Sequence, residues 1–220
     1  MAPLIAIDEA AAIPEAVRIL RSGGTVVLPT DTVYGIAALP SRPDAIARIF
    51  ELKQRPPGMH LAVLVADAGQ VARVSGDTRP GPQGLMRAFW PGGLTIVMEE
   101  AVPEAEALGP GDGTVGVRCP DHDVVRAVCR AVGPIAATSA NLHGHPTAAT
   151  AGLVAAELAG ADLVLDGGTC GGGVASTVVD ATGSDPVILR DGPIGHESIV
   201  AAWDDVCPDR GSGETGQRKG

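Results

Sequence analysis

The chain has 220 residues, 45% of them hydrophobic and 19% charged, with a net charge of −10; this fits one globular domain with a sizeable core and excludes a disordered chain. No apolar run approaches the roughly 20 residues that span a bilayer, and a start carrying Asp8 and Glu9 without a basic segment does not read as a secretory signal. The acidic balance excludes a general nucleic-acid coat, so any binding of RNA or phosphate needs a local basic site.

Helices and strands alternate along the chain. Ala16, Val17, Ile19 and Leu20 predict a helix over Pro14–Arg21 that stops at Gly23-Gly24. Thr25–Pro29 is a β-branched apolar run and predicts a buried strand. Ile46, Ile49, Phe50 and Lys53 share one face of a helix over Asp44–Lys53. A strand follows at His60–Ala66, then a short helix at Gly84–Phe89. Strands are expected at Leu94–Met98 and Thr114–Arg118, and an amphipathic helix over Asp121–Val132 with Asp121 as its N-cap. Strands at Ile135–Thr138, Asp162–Leu165, Ser176–Asp180 and Val187–Arg190 are interleaved with helices at Thr150–Ala159 and Gly195–Trp203. Seven or eight strands with interspersed helices make an α/β protein, and the close spacing of the last strands predicts a mixed sheet. One domain over residues 1–207 is expected, followed by a polar, Gly-rich, disordered tail at 208–220.

The four cysteines, Cys119, Cys129, Cys170 and Cys207, form no C-x-x-C pair and no zinc spacing. They read as reduced thiols of a cytoplasmic protein. There is no P-loop and no dinucleotide-binding glycine motif. His143-x-His145 is a weak metal signal, and no metal site is expected.

Three segments stand out, helped by scarcity: the chain has two lysines, Lys53 and Lys219, one tyrosine, Tyr34, and one asparagine, Asn141. Pro29–Gly35 (PTDTVYG) places two Thr hydroxyls and a Tyr hydroxyl after a buried strand, where ligands often bind. Lys53-Gln54-Arg55 sets a point charge and a planar fork at an exposed helix end, a combination suited to a polyphosphate. Thr138–Asn141 (TSAN) closes an apolar strand, and in extended backbone Ser139 and Asn141 share one side. Read singly, each is equally a capped turn or a helix-end charge pair. The loop Gly171-Gly172-Gly173 reads as flexible, and Ser176 and Arg190 add polar groups at strand ends. Together they outline a concave phosphate site, with no hydrolytic triad and no carboxylate pair.

These segments, with FWPGGLT (Phe89–Thr95), TVGVRCP (Thr114–Pro120), ASTVVD (Ala175–Asp180) and ILRDGPI (Ile188–Ile194), resemble the YrdC-like family of threonylcarbamoyl-AMP synthases, in the family's order and over residues 25–194. The resemblance implies the YrdC/RibB-like fold, a twisted open mixed sheet with flanking helices and a basic concave cavity. It implies a nucleotidyltransferase that makes threonylcarbamoyl-AMP and pyrophosphate from L-threonine, bicarbonate and ATP, with Mg²⁺ on the ATP. The product would pass to a tRNA threonylcarbamoyl transferase complex for N6-threonylcarbamoyladenosine. It implies Lys53 and Arg55 as catalytic; Lys53, Arg55, Thr114, Asn141 and Arg190 on ATP; and Thr32, Tyr34, Arg118, Ser139 and Ser176 on threonine. The alternative is a YrdC-like paralogue that binds nucleotide or double-stranded RNA without synthase activity. Three positions depart from the family pattern: His60 replaces a proline, Leu64 a histidine of the threonine site, and His143 a serine. The chain resembles the short bacterial form, without the extra C-terminal domain of longer members.

Overall fold

The computed structural model describes residues 1–56, 58–99, 108, 111–171 and 173–208. Pro57, Gly172 and all of the expected tail except Pro208 lie outside the described residues. In chain order the elements are β1 (Leu4–Ala6), α1 (Ala12–Arg21), β2 (Val26–Leu28), β3 (Gly35–Ala38), α2 (Pro43–Leu52), β4 (Ala62–Leu64), a 3₁₀ turn (Ala68–Arg73) and α3 (Pro80–Phe89). There follow β5 (Leu94–Glu99), β6 (Thr114–Arg118), α4 (Asp123–Val132), β7 (Ile135–Ser139), α5 (Ala151–Glu157), β8 (Leu163–Asp166), β9 (Thr177–Asp180), β10 (Val187–Arg190) and α6 (His196–Asp204).

Among the described residues, ten strands form one mixed sheet, in the order β1-β8-β2-β3-β7-β4-β6-β5-β9-β10. β1–β8, β2–β8, β4–β6 and β5–β9 pair parallel, and the other neighbours pair antiparallel. Two of these strands, β1 and β3, exceed the sequence expectation. β1 is three residues long, and β3 is Gly-Ile-Ala-Ala, buried throughout, so neither shows alternation nor a β-branched run.

Successive strand residues serve opposite faces. Val26, Leu28, Ala37, Leu64, Ile135, Ala137, Leu163 and Leu165 pack under α1 and α4. Val27, Ile36, Val63, Ala136 and Val164 pack on the other side with α2, α3, α5 and α6. That second core continues beneath β5, β6 and β9 through Leu94, Ile96, Met98, Val115, Val117 and Val179. Among the described residues the α1/α4 core does not continue there: its buried strand residues come from β2, β3, β4, β7 and β8. The uncovered half of that face becomes the cavity described below.

Helix boundaries show what the sequence could not. α3 begins at Pro80, four residues before the expected Gly84. Its glycines look like helix breakers but allow close packing: a Cβ on Gly81 would sit 2.5 Å from Trp203, and one on Gly84 2.6 Å from Val206. Asp121 is not the N-cap of α4. His122 holds that place in extended backbone without a capping side-chain bond, and Asp123 instead pairs with Arg126 at 2.8 Å inside the first turn. α1 and α2 end alike. In α1 the N–H of Gly24 donates to Ile19 and that of Gly23 to Leu20; in α2 the N–H of Arg55 donates to Phe50 and that of Gln54 to Glu51. This is the Schellman stop, which turns the chain through a left-handed residue. α1 uses Gly23 there (φ 87°), whereas α2 uses Gln54 (φ 50°). The turn at Gln54 sends Lys53 and Arg55 to different places.

Candidate active site

The uncovered face forms a cavity of about 420 Å³. Its floor comes from the strand residues opposite the core set: Thr95 and Val97 on β5, Thr114, Gly116 and Arg118 on β6, and Val178 and Asp180 on β9. Ala62 and Leu64 on β4 and Ala137 on β7 continue it, and Leu189 and Arg190 on β10 close one side. Thr30, Thr32, Ser139, Ser176 and Arg55 enter from the ends of β2, β7 and α2 and the start of β9.

Arg118 is 6% exposed, and each of its three guanidinium nitrogens has a partner while the side chain still lines the cavity. Its Nη2 pairs with Asp31 Oδ1 at 2.6 Å, its Nη1 donates to Thr32 Oγ1 at 2.8 Å, and its Nε donates to the Gly92 carbonyl at 3.0 Å. Thr30 Oγ1 lies 3.0 Å from Thr32 Oγ1 and accepts the N–H groups of Thr32 and Val33, so the loop is folded around Thr30. Arg190 Nε and Nη2 reach the Ser176 carbonyl at 3.0 and 2.8 Å, and Nη2 also donates to Ser176 Oγ at 3.0 Å. Ser176 Oγ is 2.8 Å from Thr95 Oγ1. Arg55 donates to Thr138 Oγ1 at 3.1 Å and to the His60 carbonyl at 3.0 Å, with its guanidinium 5.7 Å from the Phe50 ring.

Among the described residues, three guanidiniums thus face one cavity, against two lining carboxylates, Asp112 and Asp180. Burial pulls all three below the ordinary arginine value; Asp31 opposes this at Arg118, and the neighbouring charge of Arg118 adds to it at Arg190. Cations crowded in a half-buried cavity favour an anionic occupant. Near Arg55, His60 Nε2 meets Asp112 Oδ2 at 3.0 Å, and Asp112 Oδ1 accepts the N–H and hydroxyl of Thr114 at 3.1 and 2.9 Å.

Of the residues expected in the site, Thr32, Arg55, Thr114, Arg118, Ser139, Ser176 and Arg190 come together on the cavity wall. Lys53, Asn141 and Tyr34 do not line it. Lys53 is not at an exposed helix end: it is 2% exposed. Its Nζ donates to the carbonyls of Ser139 and Asn141 and lies 3.4 Å from Asn141 Oδ1. Burial, with Arg55 beside it, pulls this ammonium down to about 8, and Glu157 resists the change. Asn141 does not share a side with Ser139. β7 ends at Ser139 and the chain turns, so Asn141 Nδ2 donates to the carbonyls of Leu142 and His145 at 3.0 and 2.6 Å. Tyr34 is 1% exposed; its hydroxyl donates to the Gly168 carbonyl at 2.8 Å and accepts the Gly167 N–H at 3.1 Å. Burial pushes that phenol up to about 12.

The sequence reading missed Thr95, Asp112, Asp180 and Asp31. Thr95 and Asp180 were legible as polar residues in otherwise apolar strands; Asp31 and Asp112 carried no such signal. All four cysteines are free thiols, and Cys119, Cys129 and Cys170 are buried. No helix among the described residues is long and apolar enough to cross a membrane.

Comparison with known proteins agrees with this architecture. The Sua5/YciO/YrdC family model, described as "Telomere recombination", matches residues 18–192. The chain is 38% identical over 212 residues to the threonylcarbamoyl-AMP synthase of Bacillus subtilis, covering 94% of itself and 60% of that protein. It is 39% identical over 189 residues to a Mycobacterium tuberculosis protein, covering 86% of itself and 87% of the relative. Its fold superposes on the crystal structure of Pyrococcus abyssi Sua5 complexed with L-threonine, with a TM-score of 0.86, 33% identity, and 94% of this chain and 62% of that one covered. The chain therefore spans less than two thirds of the Bacillus and Pyrococcus proteins. The family model matches most of the chain and the fold superposes over nearly all of it, and the chain belongs to the Sua5/YciO/YrdC family.

Proposed function

We propose that this protein is a cytoplasmic nucleotidyltransferase that makes threonylcarbamoyl-AMP from L-threonine, bicarbonate and ATP. The observation that carries the reading is the placement of Arg55, Arg118 and Arg190 around one cavity whose wall also bears Thr32, Thr114, Ser139 and Ser176. Its support lies in the family and in relatives bearing that activity in their names.

In the first step the threonine amine adds to the bicarbonate carbon and water leaves, giving a carbamate. A carbamate oxygen then attacks the α-phosphorus of ATP; the bond to the bridging oxygen breaks, and pyrophosphate leaves with the electron pair. Arg118, held by Asp31, takes the threonine carboxylate, and Thr32, Ser139 and Ser176 supply hydroxyls around the amino acid. Arg55 and Arg190 face the polyphosphate and offset the charge that grows on the leaving group. Thr114 reaches the nucleotide. Lys53 and Asn141 act from beneath the wall, by shaping the segment that carries Ser139. Holding three substrates together supplies much of the rate. ATP would bring Mg²⁺ on its own phosphate oxygens. The product would go to a transferase that modifies adenosine N6 in tRNA.

The test is pyrophosphate release with ATP, Mg²⁺ and bicarbonate, with and without L-threonine, and with serine as control. Release that needs both threonine and bicarbonate is expected. ATP binding without release under any of these conditions would overturn the synthase reading in favour of a nucleotide-binding module.

A further inference from the structure

Lys53 is a buried cation whose direct partners are neutral: the carbonyls of Ser139 and Asn141 and the side-chain oxygen of Asn141. Burying a charge against dipoles alone is costly, and a carboxylate within its field lowers the cost. Glu157 supplies that field from α5. It also grips the same loop, because its Oε1 accepts the Leu142 N–H at 2.8 Å and lies 3.7 Å from His145 Nδ1. Lys53 holds the loop a second time through its carbonyl, which accepts the His143 N–H at 2.8 Å. Glu157 is the last residue of α5, where a carboxylate opposes the helix dipole, so the helix itself gains nothing from it.

We propose that Glu157 is a positioning residue of the cavity: it pins the 139–145 loop at Leu142 and keeps Lys53 charged, so that Ser139 stays on the cavity wall. Among the described residues, four titratable or charged groups lie at Lys53 or its loop. Arg55 follows it in sequence, His143 and His145 lie on the loop, and Glu157 lies on α5. Burial and Arg55 push the Lys53 ammonium towards its neutral form, and Glu157 pushes it back. Above the Lys53 titration the ammonium loses a proton, its grip on the two carbonyls weakens, and Ser139 is released.

The kinetic part of this inference rests on the proposed synthase reaction; the titration part does not. Glu157→Gln keeps an oxygen to accept the Leu142 N–H and removes only the charge, whereas Glu157→Ala removes both. The chain has only two lysines, so NMR of isotope-labelled lysine follows Lys53 directly, with Lys219 as internal reference. The expected result is a Lys53 midpoint near 8 in the wild type and a lower midpoint in Glu157→Gln. Pyrophosphate release by Glu157→Gln should fall at a lower pH than in wild type, with a deficit of roughly two- to fivefold between the two Lys53 midpoints that closes well above 8. Glu157→Ala should lose kcat and raise the threonine KM at every pH. An unchanged Lys53 midpoint in Glu157→Gln, or wild-type kinetics in Glu157→Ala, would overturn the inference. A wild type without pyrophosphate release would overturn the synthase reading alone, and the titration would still decide the role of Glu157.

Discussion

Lys53 and Arg118 are about equally buried, at 2% and 6% exposure, yet their surroundings give them different work. Arg118 has a carboxylate, a hydroxyl and a carbonyl around its fork, and still presents itself to the cavity. Lys53 has only dipoles in contact and faces a loop rather than the cavity. At Arg118 burial works against the charge and Asp31, in direct contact, opposes that loss. At Lys53 burial and Arg55 pull the ammonium down to about 8, and the opposing carboxylate, Glu157, is not one of its direct hydrogen-bond partners. The Arg118 corner of the cavity wall is therefore fixed by an ion pair, and the loop behind the wall by hydrogen bonds from a cation that titrates.

The largest effect should follow from breaking the wall. Arg118→Ala leaves Asp31 unpaired and should cost about 3–5 kcal/mol of stability and at least about two orders of magnitude in turnover. Arg118→Lys should recover much of the stability and little of the threonine affinity, because a point charge cannot replace the fork. Chemical denaturation and the threonine KM read the two separately.

Next comes the clamp. Lys53→Met strands the Ser139 and Asn141 carbonyls and should cost about 2–3 kcal/mol near neutral pH. Its pH dependence has a definite sign. The folded value of about 8 lies below the ordinary 10.5, so across that window the unfolded chain binds more protons than the folded one. The Lys53 contribution to stability is therefore smallest below 8 and grows as pH rises through the window. Turnover should move the opposite way, falling as the clamp loses its charge. Denaturation of wild type and Lys53→Met at pH 7.5 and 9.5 measures the difference; a gap that narrows with pH would contradict the assignment.

Tyr34→Phe should be milder, about 1 kcal/mol, since it removes one hydroxyl that bridges Gly167 and Gly168. The threonine KM should not change, because the hydroxyl points away from the cavity. A raised KM would return Tyr34 to the binding wall. The smallest effect is a gain. Gln54→Gly should relieve the left-handed turn, as Gly23 does at the end of α1, for about 1 kcal/mol or less after the entropy cost of glycine. A thermal melt detects it, and a loss of stability would mean that the Gln54 side chain contributes more than its backbone costs.

Local patterns made much of the fold readable. The 3.6-residue spacing of α1, α2 and α4 and the apolar runs at β5, β6 and β7 gave those elements to within a few residues. β3 was hidden because a strand buried on both faces carries no alternation, and the first turn of α3 because Gly81 and Gly84 serve Trp203 and Val206, far away in sequence. The motif order alone identified the family and named seven residues of the cavity wall. It could not say that Lys53, Tyr34 and Asn141 turn away from that wall. The Thr30 hydroxyl folds the loop before Tyr34, β7 stops at Ser139, and Gln54 reverses the chain between Lys53 and Arg55. The residue types and their spacing came from the sequence by itself. Which side of the sheet each one faces, and whether its charge meets a carboxylate or a carbonyl, was decided by contacts between distant segments, because burial and electric field are properties of the assembled surroundings and not of the residue.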